Sequence, residues 1–265
     1  MSFELDFQSY PAPDGPIRFA YVPWDSELFG FPFFELTGTD IAPSALEEHL
    51  PHWLRSLPVS SSGLVYTKVP ATSVAVGTAL ARHGFYPVET MLTAHRDLSQ
   101  FQPVMRQTSP PPRLRPATEA DLPQMTALAG SAFREDRFHL DPQLPDDKAS
   151  QRYQHWVENG FRSGDHVFAF EEGATGSLIG FFHARQTDPG TIDLSLAALD
   201  PKCKGTGLGG MMYEAAVLES RERGYNTAET RIVVSNVAVL NLFSRLGFRF
   251  RNPVVTFHCL LSMVE

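Results

Sequence analysis

The chain has 265 residues, enough for two modest domains or one large one, and its apolar fraction of 43% excludes a disordered protein. A formal net charge of −8 argues against a nucleic-acid partner, because phosphate backbones attract basic surfaces. Two cysteines, Cys203 and Cys259, are too few for a disulfide framework or a zinc site. We therefore expect no metal and a reducing, cytoplasmic location. The segment MSFELDF has no basic start and no long apolar run after it, which argues against secretion and against a membrane partner.

Residues 1–101 are predicted to form a smaller α/β domain, and part of it resembles a segment near the other end of the chain. ALARHGFYPVETMLTAH and LFSRLGFRFRNPVVTFH each place an arginine two residues before Gly-Phe and a histidine ten residues after the phenylalanine. The glycines are Gly84 and Gly247, and the histidines are His95 and His258. We interpret this as a weak internal repeat of a helix, a turn and two strands.

The segment 102–112 is predicted to be a linker, because it contains Pro103 and a run of three prolines with little apolar periodicity. The second domain, 113–265, is predicted to begin with a strand at Leu114 and a helix capped by Thr118. Helices follow at about 119–133 and 146–161, and strands at about 166–171, 177–187 and 191–199. A helix after the last of these, one more strand, one more helix and a closing pair of strands complete the prediction.

A glycine-rich loop lies between the 191–199 strand and the next helix. Gly205, Gly207 and Gly209 alternate, and Gly210 follows. Glycine lets the backbone approach a ligand closely, and a helix start offers free N–H groups, so the segment is suited to phosphate. A P-loop would end in Gly-Lys-Ser/Thr, which is absent. A Rossmann turn has the right glycine spacing but needs a glycine directly after the strand, where 200–204 intervenes. A plain helix cap is the remaining alternative, and the flanking strand and amphipathic helix favour the phosphate loop.

The order Leu199, Asp200, Pro201, Lys204 and three alternating glycines resembles the coenzyme A pyrophosphate loop of the GCN5-related N-acetyltransferase (GNAT) superfamily. Lys204 stands where that family usually has Arg or Gln. A second family motif follows at the expected spacing, with Asn236, Leu242, Phe243, Gly247 and Phe248. The resemblance implies an α/β (α+β) GNAT fold, a mixed central sheet flanked by helices. The smaller N-terminal α/β domain is then interpreted as a reduced GNAT half-fold.

The same resemblance implies an acyl-CoA-dependent N-acetyltransferase that binds acetyl-CoA or another short-chain acyl-CoA. The implied coenzyme-binding residues are Ala198, Leu199, Lys204, Gly205, Thr206, Gly207, Leu208, Gly209, Gly210, Asn236 and Phe243. Relatives in this superfamily pair as dimers, so a homodimer is expected by analogy.

Two further blocks are similar to bacterial N-acetyltransferases that act on dTDP-linked amino sugars, such as the dTDP-fucosamine acetyltransferases. They are VPWDSELFGFPFFEL and SAFREDRFHLDPQLPDDKASQRYQHWVENGF. This likeness implies a small-molecule amine acceptor, a dTDP- or UDP-amino sugar. Its candidate binding residues are Trp24, Phe29, Arg137 and His139. The alternatives are core packing for the two aromatic residues and a solvated loop charge for Arg137.

The implied chemistry is direct transfer to a neutral amine in a ternary complex. Backbone N–H groups near Leu199 would polarise the thioester carbonyl, and a base would accept the amine's proton. The candidate bases are Asp193, Ser195 and His183, and each of them is equally compatible with a structural role.

The chain departs from the family at Phe243, where a tyrosine usually protonates the leaving thiolate. Three explanations stay open: the thiolate leaves unprotonated or takes a proton from water, Ser244 or His258 substitutes, or catalysis is weak. Two other functions also remain open. One is a GNAT enzyme for another amine, such as an antibiotic, an amino acid or a protein N-terminus. The other is a non-catalytic acyl-CoA-binding module.

Overall fold

The computed structural model describes residues 5–11, 16–37, 42–106 and 108–262. Residues 1–4, which were part of the argument against a targeting signal, and Gln107 of the linker lie outside this part of the chain. In chain order the helices and strands are β1 (Gln8–Tyr10), β2 (Ile17–Tyr21), α1 (Pro23–Phe29), β3 (Phe33–Thr37), α2 (Pro43–Ser56), β4 (Ser62–Pro70), α3 (Val74–Arg82), β5 (Tyr86–Asp97), β6 (Arg113–Pro116), α4 (Leu122–Ala132), α5 (Arg137–Leu140), α6 (Asp146–Ser163), β7 (His166–Glu171), β8 (Leu178–Asp188), β9 (Thr191–Leu199), α7 (Leu208–Glu222), β10 (Thr227–Val233), α8 (Val237–Arg245) and β11 (Arg249–Ser262).

The chain divides into two compact units whose segments alternate along the sequence. Leu92–Glu135 and Ala149–Arg251 form one, which we call the glycine-loop unit. The described parts of Ser2–Met91, Asp136–Lys148 and Asn252–Glu265 form the other, which we call the N-terminal unit. This division differs from the predicted one, in which a linker at 102–112 separates two consecutive domains. The difference arises because β5 and β11 each contribute residues to both units.

The N-terminal unit is a mixed sheet with strand order β1-β2-β3-β4-β11-β5. β3 and β4 run parallel, whereas β4 and β11 run antiparallel. Its core is built on one face of α2 and α3, whose apolar residues recur at helical spacing. Leu46, Leu50 and Trp53 of α2 are fully buried there against Leu80 of α3.

The glycine-loop unit has strand order β5-β10-β9-β8-β7-β6. Two hydrophobic cores cover its sheet. One contains residues of α4 and α6 with Phe181 and Leu196. The other contains residues of α7 and α8 with Phe182 and Leu194. Phe181 and Phe182 are neighbours on β8 and thus enter different cores, as the two-residue period of a strand requires.

The predicted mixed α/β fold is confirmed, and most predicted elements of the second half are present. Strands at 166–171, 178–188 and 191–199 match the expectation closely. Thr118 is an N-cap as predicted, and Asp121 Oδ2 accepts a 2.7 Å hydrogen bond from its amide in a capping box.

The prediction of a closing pair of strands is wrong, and so is the prediction of two strands in the first copy of the repeat. Up to residue 262, where the described part of the chain ends, a single strand, β11, follows α8, and a single strand, β5, follows α3. Asn252-Pro253 would suit a turn, and Asn252 does adopt a left-handed φ of 52°. The chain only bends there, because β11 continues as an antiparallel partner of β4 from Val254 to Ser262.

Within the described ranges, no helix combines the length and the apolarity that crossing a membrane requires.

Candidate active site

A gap opens between β9 and β10 halfway along both strands. Their parallel pairing covers Thr191–Asp193 against Thr227–Glu229 and continues no further, although β9 extends to Leu199 and β10 to Val233. At the point of separation the buried Thr230 hydroxyl donates a 2.8 Å hydrogen bond to the carbonyl oxygen of Leu194. We call the space between 195–199 of β9 and 230–233 of β10 the β9–β10 gap.

A β-bulge in β9 accompanies this separation. Asp193 pairs with Arg185 of β8, whereas Leu196 pairs with His183, so β9 carries one extra residue over this stretch. The bulge reverses the two faces of the strand. Leu194 before it packs in the α7–α8 core, whereas Leu196 after it packs in the α4–α6 core.

Backbone amides at the end of β9 point into the gap. The amide of Asp200 donates to the carbonyl of Ile179 on β8 at 2.8 Å. Since successive amides of a strand alternate in direction, those of Leu199 and Ala197 point to the opposite side, toward β10. These donors have the position that a thioester carbonyl between the strands would need.

The glycine loop is exposed and keeps free donors. Gly205 and Gly207 have φ values of 78° and 86°, and a Cβ built on either one meets nothing within 4 Å. Within the described residues, the amides of Gly205, Gly207 and Gly209 reach no acceptor, whereas the amide of Lys204 bonds to Pro201. Three unpaired amides at the start of the 15-residue helix α7 form an anion site, to which the helix dipole contributes.

The remaining coenzyme candidates lie around this loop. Asn236 is the N-cap of α8, and its side-chain oxygen accepts a 3.2 Å hydrogen bond from the amide of Val239. Phe243 is 1% exposed and packs edge-to-face on Tyr213 and Phe248. Lys204 and Thr206 are exposed, Leu208, Gly209 and Gly210 are half-buried at the start of α7, and Ala198 is buried.

Cys203 is suited to a spacer role in this loop. Burial raises the pKa of its thiol, and the carboxylates of Asp200 and Glu172 raise it further. A thiol that keeps its proton is a poor nucleophile.

The structure brings two of the three candidate bases together. The hydroxyl of Ser195 donates a 2.9 Å hydrogen bond to Asp193 Oδ2, and both residues are half-buried beside the bulge. His183 is fully buried and shares its Nε2 with Asp165 at 3.0 Å. A Cβ at Gly160 of α6 would lie 2.3 Å from that nitrogen, so α6 covers it closely. Asp193 and Ser195 are therefore the accessible candidates.

The acceptor candidates lie in the N-terminal unit, where two of them touch one ring. Phe29 stacks on Phe138 at 5.8 Å between centroids, and the guanidinium of Arg137 lies 4.5 Å from the centroid of that same ring. Arg137 is 7% exposed, so it is not a solvated loop charge, and its guanidinium lies 3.8 Å from the Tyr66 centroid. Its amide donates to Glu89 at 2.9 Å, but its Nη1 reaches no acceptor among the described residues.

Trp24 and His139, the other two acceptor candidates, are less clearly placed for binding. Trp24 is half-buried on α1. The side chain of His139 is 3% exposed, and its Nδ1 lies 2.5 Å from Asp136 Oδ2. Its imidazole is thus held within its own helical turn.

A buried polar network that the sequence did not predict anchors Asp141. Asp141 Oδ2 lies 2.7 Å from His258 Nδ1 and accepts a 2.9 Å hydrogen bond from Tyr86. Burial raises the pKa of the Asp141 carboxyl, but hydrogen bonds from His258, the Gln143 amide and Tyr86 outweigh it and hold the pKa below its usual value. Burial lowers the pKa of His258 despite this partner, so the pair is a carboxylate and a neutral imidazole.

Two residues of α7 also escaped prediction. Tyr213 packs edge-to-face on Phe182 and Phe243, at 5.3 and 5.0 Å between centroids. Glu214 is 1% exposed and accepts hydrogen bonds from the amides of Val104 and Met105 in the linker. In the sequence they are ordinary members of an amphipathic helix, and no motif marks them.

Comparisons with known proteins agree with this geometry. The family model of the acetyltransferase (GNAT) domain matches residues 113–249. The chain is 26% identical over 238 residues to a dTDP-fucosamine acetyltransferase of Escherichia coli O6:H1, covering 88% of this chain and 94% of that protein. It is 28% identical over 192 residues to a mycothiol acetyltransferase of Tsukamurella paurometabola, covering 68% and 60%.

Solved structures share the fold across the whole chain. A GCN5-related N-acetyltransferase from Sphaerobacter thermophilus has a TM-score of 0.69 at 14% identity, covering 100% of this chain and 84% of that one. A tandem GNAT protein from the clavulanic acid biosynthesis pathway has a TM-score of 0.55 at 13% identity, covering 99% and 84%. The family match spans more than half of the 265 residues and includes the glycine loop and the β9–β10 gap. The chain therefore belongs to the GNAT acetyltransferase family and is an N-acetyltransferase.

Proposed function

We propose that the protein transfers the acetyl group of acetyl-CoA, or of another short-chain acyl-CoA, to the primary amine of a nucleotide-linked amino sugar. The observation that carries the proposal is the 26% identity to a dTDP-fucosamine acetyltransferase, which extends over 88% of this chain and so includes both units. The amine attacks the thioester directly while both substrates are bound.

The glycine-loop unit fits an acyl-CoA. The free amides of Gly205, Gly207 and Gly209 would hold its diphosphate, and the amides of Ala197 and Leu199 would face its acyl carbonyl. The coenzyme supplies an activated acyl group, and every other contribution comes from the chain's own side chains and backbone.

Asp193 and Ser195 would remove the proton that the amine must lose. Ser195 donates to the Asp193 carboxylate, so a proton accepted by the hydroxyl can pass to that carboxylate. Arg185 Nε lies 3.9 Å from Asp193 Oδ2 and places a positive charge beside this carboxylate.

Arg137 is our candidate for the nucleotide diphosphate. Its Nη1 is a donor without an acceptor among the described residues, and burial strengthens a hydrogen bond to an incoming anion. Phe29 would support this site and not contact the acceptor itself, because it is only 7% exposed. Its ring stacks on Phe138, and the guanidinium of Arg137 packs on that same Phe138 ring.

The test is acetyl-CoA-dependent thiol release with a panel of dTDP- and UDP-amino sugars, amino acids, aminoglycosides and N-terminal peptides. We expect release with one class of nucleotide amino sugar and none with the matched nucleotide sugar that carries a hydroxyl instead of the amine. Turnover confined to another amine class would refute the acceptor assignment and leave acyl transfer intact. Binding of acetyl-CoA without release by any amine would favour the non-catalytic module.

A cytoplasmic location and a homodimer complete the proposal. Cys203 and Cys259 are both unpaired, as expected in a reducing compartment. The homodimer rests on analogy with the family, and light scattering on the purified protein tests it.

A further inference from the structure

Ser244 and His258 are the two residues that the sequence suggested as substitutes for the missing tyrosine, and the structure argues against both. Ser244 follows Phe243 on α8, so its side chain is turned about 100° away, and it is exposed. His258 is fully buried and its Nδ1 is bound to Asp141. Burial lowers the pKa of His258, so at neutral pH it is a neutral imidazole, which is too weak an acid to protonate a thiolate.

Tyr213 of α7 packs directly on Phe243, the residue that stands at the family's tyrosine position. Its ring lies 5.0 Å from the Phe243 ring and 5.3 Å from the Phe182 ring, measured between centroids. Phe182 is the direct partner of Ala197 across β8 and β9. Ala197 lies beyond Asp193, the last residue of β9 that pairs with β10, and so belongs to the stretch of β9 that lines the gap. Through Phe182, the Tyr213 ring therefore packs at the same height along β9 as the β9–β10 gap.

A candidate base and a candidate acid lie on opposite faces of the sheet at the β9–β10 gap. Asp193 pairs with Arg185 on the face of the sheet that α4 and α6 cover, whereas Tyr213 belongs to the α7–α8 core on the other face. A base on one face and a hydroxyl on the other are the two proton-transfer groups that acyl transfer between β9 and β10 requires.

The Tyr213 hydroxyl is available as a donor. The ring is half-buried and packed on two aromatic neighbours, and among the described residues its hydroxyl makes no hydrogen bond. The aromatic contacts fix the position of the ring, and the hydroxyl stays free to donate its proton to a substrate.

We propose that Tyr213 is the general acid of this enzyme, replacing the family's tyrosine that is Phe243 here. This inference rests on the proposed acyl transfer. As the amine nitrogen bonds to the acyl carbon, the carbon–sulfur bond breaks and its electron pair stays on sulfur, which takes the Tyr213 proton. The amine loses one proton to the Asp193–Ser195 pair, which passes it to solvent, and solvent returns one proton to the Tyr213 phenolate. The products are the amide and the free thiol.

The proton-binding properties of Tyr213 agree with this role. Burial raises its pKa to about 12, so the hydroxyl is protonated over the whole neutral range. The same burial opposes a thiolate next to it, which raises the proton affinity of sulfur in parallel.

The test compares Tyr213→Phe, Phe243→Tyr, the double variant and the control Tyr21→Phe, which alters a tyrosine that is 48% exposed. For Tyr213→Phe we expect kcat to fall roughly 10- to 100-fold while the KM and the calorimetric Kd for acetyl-CoA stay within about threefold of wild type. The double variant should regain most of the lost kcat, because it restores a hydroxyl at the family position. Phe243→Tyr alone should change kcat less than about threefold, since one acid suffices.

Two outcomes would overturn the inference. One is an active wild type in which Tyr213→Phe keeps its kcat. The other is a tenfold gain from Phe243→Tyr alone, which would show that no acid is present. Folding is not at risk in Tyr213→Phe, because only a hydroxyl without a partner is removed, and near-UV circular dichroism checks it. A wild type that releases no thiol with any amine would instead refute the proposed function.

Discussion

Asp193 and Ser195 illustrate what single residues contribute. The sequence predicts the strand and its candidate bases, but it does not show which of these bases is accessible to a substrate. Only the tertiary structure covers His183 with α6 and leaves Asp193 and Ser195 accessible beside a bulge. A bulge depends on the register with β8, and no local residue pattern encodes it.

Asp193→Asn should lower kcat roughly 100-fold, and Ser195→Ala should lower it less, because the carboxylate is the final proton acceptor. The acetyl-CoA Kd should not change in either variant. Steady-state kinetics measure both effects, and Asp188→Asn, at the exposed end of β8, is the matched control. Equal kcat values in all three variants would remove this pair from the mechanism.

At the scale of elements, the glycine loop was the most predictable part of the molecule. Its conformation is local, since glycines at positive φ and the following helix start create free amides without help from distant residues. The linker was less predictable. Its prolines suggested a spacer, yet the linker packs on α7. Met105 Sδ would lie 2.8 Å from a Cβ at Gly210, and the amide of Met105 donates a hydrogen bond to Glu214.

Glu214→Ala should destabilise the glycine-loop unit by about 1–3 kcal/mol, because it leaves two linker amides without their acceptor. Glu214→Gln should cost less, since its side-chain oxygen can still accept one of them. Urea unfolding measures the loss, with Glu222→Ala at the exposed end of α7 as the control. If Glu214→Ala and the control have equal stability, the linker is not fastened by this carboxylate.

For the whole molecule, the internal repeat is the feature that the sequence indicated and the structure refines. β4, α3 and β5 repeat the strand, helix and strand of β10, α8 and β11, and Gly84 and Gly247 end both helices at positive φ. This arrangement agrees with our interpretation of the N-terminal unit as a reduced GNAT half-fold, which stays a prediction. The alternation of segments between units was not predictable, because it depends on which strands become neighbours.

The Asp141–His258 pair makes stability depend on pH in a defined direction. The pKa of His258 is lowered in the folded protein, so the unfolded chain binds a proton first, and stability falls as the pH drops below the ordinary value of about 6.5. Asp141 has a lowered pKa too, so its contribution is present above about pH 4 and is lost at lower pH.

We expect the Tm of the wild type to fall between pH 7 and pH 5, and the Tm of His258→Gln to start lower and fall less steeply. Scanning calorimetry at several pH values measures both slopes. Parallel slopes would show that this histidine does not titrate on unfolding.

The central claim is that free amides of the glycine loop hold an acyl-CoA, and calorimetric titration with acetyl-CoA tests it most directly. We predict a Kd of about 1–100 µM for the wild type. Gly207→Ala should weaken binding at least tenfold, because it strains a left-handed residue and places a methyl group in the open space above the loop. Gly176→Ala, a turn glycine with φ 69° and equally open surroundings, should bind like the wild type. Absence of heat with the folded wild type, or equal affinity in both variants, would contradict the claim.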